Sequence, residues 1–142
     1  MKQQNFKNHG KWVIGYHVIT FLAIVILIIG SIRGFLKSSN DNLYSASLLI
    51  LISFILLFMF YFLRIFALKA QDRAIRAEEK LRYYVLTGKM LSSKITTRQI
   101  VGLRFASDDE FPTLVDKAEK DQLSEKEIKA LIKNWKEDLY RV

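Results

Sequence analysis

The groups best suited to chemistry in this sequence are its two histidines, and their placement narrows what they can do. His17 stands five residues past Trp12 inside an uncharged run, about 7–8 Å deep on a helix. An ionisable group there is a candidate proton relay, haem ligand or contact to a partner helix. The structural alternative is a neutral imidazole at headgroup depth, bonded to Thr20 or a neighbouring helix. His9 lies in a polar tail, where Gly10 disfavours the helix that would bring both imidazoles to one metal. Two His cannot build an all-His zinc triad, and zero Cys excludes disulfides, thiol catalysis, iron–sulfur clusters and Cys-based zinc sites. No Gly-rich phosphate loop, H-E-x-x-H or G-x-S-x-G is present. The acid pairs Glu78–Glu79 and Asp108–Asp109 fall in helix or capping contexts. The expectation is a chain that is not an enzyme, with no catalytic residue, cofactor or metal.

The elements around these groups follow from an uneven distribution of charge. The chain has 142 residues, 22 Lys+Arg and 14 Asp+Glu, yet residues 12–63 carry only Arg33, Lys37 and Asp41. Residues 12–32 and 43–63 are uncharged runs of 21 residues each. About 20 residues of helix cross a ~30 Å hydrocarbon layer. A soluble core helix apolar on every face needs more chain around it than is available here. Trp12, Tyr16 and Tyr61 stand near the ends of the runs, where amphipathic rings favour the headgroup zone. The first run also exceeds a signal-peptide core of about 7–15 residues and lacks an A-x-A-like cleavage site. The expected fold is an all-α membrane protein: an antiparallel two-helix transmembrane hairpin, its second helix extended into the cytoplasm, and a small C-terminal helical domain. Its parts are a basic tail (1–11), the hairpin (12–63, with an external loop at 33–42), a helical extension (64–91) and the small domain (92–142).

Lys2, Lys7 and Lys11 before the first run, and Arg64, Lys69, Arg73, Arg76, Lys80 and Arg82 after the second, place both termini in the cytoplasm by the positive-inside rule. Gly15, Ala23, Gly30 and Gly34 share a face of the first helix within about 100°; Ala46 and Ser53 share one on the second. Antiparallel packing would set Gly30 and Gly34 near Ala46, and Ala23 near Ser53, because small residues let helix backbones approach where water supplies no driving force. Arg33 and Arg64 are expected to snorkel from the span ends.

No Pro or Gly interrupts residues 43–87, so the second helix is expected to run about 45 residues, or ~65–70 Å, to a stop at Gly88. Ala67, Ala70, Ala74, Ala77, Leu81 and Tyr84 follow heptad spacing on it. Asp72 with Arg76, and Glu78 with Arg82, are spaced for i,i+4 ion pairs. Under three heptads cannot hold a free coiled coil. The protein's own C-terminal helices are expected to cover the seam, another subunit being the alternative. Three short helices follow: 97–106, one opened by an S-x-x-E capping box at Ser107–Glu110, and one opened by a second box at Ser124–Glu127, whose apolar face is Ile128, Leu131, Ile132, Trp135 and Leu139. Pro112 fits the first turn of the middle one.

Residues 64–104 carry a net charge of +7 and residues 105–142 a net of −3. The basic stretch adjoins the expected bilayer face, where anionic phospholipid attracts each cation by about 1 kcal/mol. The positive-inside rule accounts for it without nucleic acid, which is not an expected partner.

QNFKNH at 4–9 with His17 following, QDRAIRAEEKLR at 71–82, RQIVGLRFASDDE at 98–110, and IKNW at 132–135 with the terminal YRV form an ordered set. In these segments the chain resembles an uncharacterised Bacteroidota family of small two-span membrane proteins. The resemblance implies the inner membrane of a Gram-negative cell and carries no assigned activity. It also marks 71–82 and 98–110 as the segments the family is built around. Gln71, Asp72, Arg73, Arg76, Glu79, Arg98, Arg104 and Asp108, with His17, are then the candidate partner-binding residues. The expected function is a non-catalytic accessory or scaffold subunit beside a larger membrane protein complex. The runner-up is a homo-oligomeric channel or scaffold, and the third reading is a tether for anionic lipid or the ribosome.

Overall fold

The computed structural model describes residues 4–6, 8 and 10–138, so His9, Lys2, Lys7 and Leu139 lie outside the described residues. The described chain is all-helical: a π-helical stretch Gly15–Thr20, α1 (Phe21–Leu36), a 3-10 turn Asn40–Asn42, α2 (Leu43–Thr87), α3 (Thr97–Leu103), α4 (Phe111–Lys120) and α5 (Glu125–Leu131). It divides into an apolar unit, Trp12–Ala67, and a polar unit made of Met1–Lys11 with Leu68–Val142.

Among the described residues two helical segments, Gly15–Leu36 and Asn40–Thr87, are long and apolar enough to cross a membrane. In the apolar unit residues 16 and 31 of the first helical segment meet residues 60 and 53 of α2. Tyr16 stacks on Phe60 at 4.4 Å and its hydroxyl donates to the Phe60 carbonyl, while Ser31 and Ser53 meet with hydroxyls 3.4 Å apart. Each serine also donates to the carbonyl three residues back, Ile28 at 2.9 Å and Ile50 at 2.7 Å, so neither buried hydroxyl is left unbonded. Ile26, Leu49, Leu51, Phe58 and Leu63 stay exposed.

The helix pair departs from expectation in three ways. α1 continues to Leu36, so the connector begins later than residue 33. Ser53 meets Ser31 where Ala23 was expected, because two hydroxyls in an apolar contact gain from facing each other. A Cβ built on Gly15, Gly30 or Gly34 would meet nothing within 4 Å, and Ala23 is exposed, so these positions are open among the described residues.

In the polar unit, α2 contributes Ile75 and Tyr83 to a core with Leu91, Ile95, Ile100, Val101, Leu103, Phe111, Val115, Ala118 and Ile128. Gly88, at φ +69, stops α2 as glycine readily does. A capping box of Thr96 and Gln99 starts α3. The Gln99 amide also donates to Ala118 O at 3.2 Å and Leu123 O at 3.0 Å, fastening the end of α4 to α3. Gly102 allows α5 close, since a Cβ there would lie 3.1 Å from Glu125 O.

Here too the structure corrects the expectations. The C-terminal helices pack on the Ile75–Glu79–Arg82 side of α2, leaving Ala70, Ala74, Ala77, Leu81 and Tyr84 exposed. Arg82 pairs with Glu79 and Asp108 where Glu78 was expected. No ion pair joins Asp72 to Arg76 among the described residues. No capping box forms at Ser107, because its amide donates to Asn134 O at 3.1 Å and the Glu110 carboxylate turns to the amides of Lys133 and Asn134. α5 ends at Leu131, and Ile132 is extended at ψ 122. Trp135 then joins Ala106 in an isolated antiparallel bridge, so this part of the helix-like apolar spacing belongs to non-helical chain.

Candidate functional site

Arg82 organises the polar unit. It projects from α2 toward the turn after α3, and the forked guanidinium matches carboxylate and carbonyl acceptors at once. It reaches Asp108 at 2.6 Å, Ala106 O at 2.7 Å and Glu79 at 3.0 Å, and stacks 4.3 Å above the Phe111 ring. Glu79 is buried, so this pairing neutralises a carboxylate largely shielded from water.

Beyond that turn, residues 104–107 lie against 133–138. Lys136 N donates to Phe105 O at 2.7 Å, and Phe105 and Trp135 stack at 4.6 Å. Arg104 lies 4.5 Å above the Phe105 ring, its Nε 3.3 Å from Asp138. The N-terminal tail completes the cluster. Gln4 N donates to Glu137 at 2.9 Å, Gln4 Nε2 donates to Asp138 O at 3.2 Å, and Gln4 Oε1 accepts from Asp138 N at 2.8 Å. Between them lies an open polar cleft of about 620 Å³, bordered by Gln4, Asn5, Ser107, Asp108, Lys133 and Lys136 among others. The tail, residue 82, residues 104–110 and the stretch after α5 thus converge in space. The cluster's chemistry is that of a clasp: its buried charges are met by opposite charges or carbonyls, and it ties the tail to the C-terminal stretch.

The expected partner-binding residues do not form one surface. Glu79 and Arg104 are buried in the clasp, and Asp108 is an exposed member of it. Arg98 is an exposed side chain 3.7 Å from Glu125. Arg73 and Arg76 are exposed on α2, with Gln71 and Asp72 half-buried. His17 sits in the π-helical stretch, 5.0 Å from the Trp12 ring and 5.2 Å from Tyr16, with Nδ1 3.1 Å from Val13 O. Thr20 is not its partner: in the widened turn the Thr20 hydroxyl donates to Gly15 O at 2.9 Å. Among the described residues no group of three or more His, Cys, Asp or Glu could hold a metal ion.

Arg82, Gln99, Glu110, Gln4 and Trp135 were not singled out in the sequence as site residues. The T-x-x-Q spacing at 96–99 was a readable cap signal. The roles of the others depend on contacts distant in sequence. Hydrogen bonds from Ser124 hold the Glu127 carboxyl below its ordinary value.

These features define an all-helical protein with two apolar helices long enough to cross a membrane and a small clasped polar unit. The chain belongs to a family of unknown function, DUF6526, whose model matches residues 1–142. No curated protein and no solved structure matches it.

Proposed function

We propose that the protein is a non-catalytic scaffold subunit of the inner membrane, anchored by a transmembrane hairpin with both flanks in the cytoplasm, and that it associates with a larger membrane protein complex. The observation that carries this reading is the clasp. Gln4 bonds Asp138, so the segments before Trp12 and after Ala67 belong to one compact unit. Such a unit cannot stand on two sides of a bilayer, which supports an even number of crossings by the apolar unit between those segments. The exposed apolar surfaces of α1 and α2 support a lipid surrounding, and the excess of Lys and Arg beside the apolar unit supports the cytoplasmic side. The open faces at Gly30 and Gly34 support association, since they admit another membrane helix closely. The inner membrane of a Gram-negative cell follows the sequence resemblance to Bacteroidota proteins.

Purification from native membranes in mild detergent tests this. A foreign membrane protein should co-purify in fixed ratio, and Gly30→Leu with Gly34→Leu should release it while the chain resists carbonate extraction. Purification without a foreign partner, or removal of the chain by carbonate, would overturn the reading.

A further inference from the structure

One face of α2 in the polar unit is left uncovered by the described residues. Leu81 is 64% exposed, Val85 73% and Tyr84 50%, and Ala70, Ala74 and Ala77 continue the same face as one wall of a shallow groove shared with Lys69 and Arg73. The chain's own domain occupies another side of the helix, through Ile75, Glu79 and Arg82. In heptad terms Ala70, Ala77 and Tyr84 are d positions and Ala74 and Leu81 are a positions, which makes Arg73 a g position and Glu78 an e position.

We infer that this face is a parallel dimer interface and that its occupant is a second copy of this chain. Charge complementarity selects the occupant. In a parallel pair each g residue faces the e residue five positions later on the other helix. Arg73 of each copy therefore meets Glu78 of the other, twice by symmetry. Both side chains are exposed, and neither has an ion pair among the described residues. Orientation rests on the membrane reading above, because two copies in one bilayer send α2 out in the same direction. Anchoring also raises their effective concentration, which offsets the shortness of the seam.

Native sequence without Cys makes the test direct. Ala70→Cys, Ala77→Cys and Arg76→Cys are oxidised separately in native membranes. Disulfide-linked homodimers should form at 70 and 77 and be several-fold scarcer at 76, since a disulfide needs Cα atoms within about 7 Å. In the Ala77→Cys background, Arg73→Glu should lower the linked fraction several-fold, and adding Glu78→Arg should restore it. Equal linkage at 76, no linkage at 70 and 77, linkage to a different protein, or a charge swap without effect would each overturn the inference. Carbonate resistance, scored in the same samples, reports separately on the anchoring reading.

Discussion

Arg82 is the side chain on which most of the polar unit turns. Its loss strands the buried Glu79 carboxylate and frees Asp108 and the Ala106 carbonyl together. Breaking a buried pair from one side costs about 3 kcal/mol. Arg82→Ala should therefore lower the unfolding free energy of the detergent-solubilised chain, read from denaturant titration, by about that amount, and Arg82→Lys should rescue little, because one ammonium cannot span three acceptors. Gln99→Ala removes the reciprocal cap of α3 and the two bonds to the end of α4. A loss of about 1–2 kcal/mol in the same assay is expected. Glu127 adds a dependence on pH. Its carboxyl lies below the ordinary value in the folded chain, so its contribution is present above the unfolded value, about 4.3, and is lost as pH falls through the folded value. Ser124→Ala should lower the unfolding midpoint at neutral pH, and the difference from the parent should shrink in acid.

At the scale of elements, the sequence was legible where local signals act alone. Uncharged runs of 21 residues gave both apolar helices, the lack of Pro and Gly gave the length of α2, and Gly88 gave its end. Gly88→Ala should cost about 1 kcal/mol, because the left-handed turn at φ +69 is strained for any residue with a Cβ. The box at Ser124 formed because nothing competes for its amide. The identical pattern at Ser107 failed because Asn134, distant in sequence, takes the amide first. Periodicity misled in the same region: Ile132 and Trp135 fit a helix face, yet they cover the core from a non-helical segment. Heptad spacing on α2 likewise identified an apolar seam but not what covers it, because the Ile75 side offered the C-terminal helices larger side chains to pack on. The candidate site was least legible, since a clasp of residues 4, 82, 104–110 and 133–138 has no local signature.

For the whole molecule, the proposed membrane anchoring rests on the clasp and the apolar unit together: in a bilayer, flanks bonded to each other require an even number of crossings. The chain lacks Cys, so single reporters can be placed without background. The most direct measurement labels intact cells with a membrane-impermeant maleimide that reaches the outer face of the inner membrane. One variant carries Asn40→Cys in the connector and another Met90→Cys in the polar unit. Cys at position 40 should label without permeabilisation, and Cys at position 90 only after it. Labelling of position 90 in intact cells, or protection of position 40, would contradict the account.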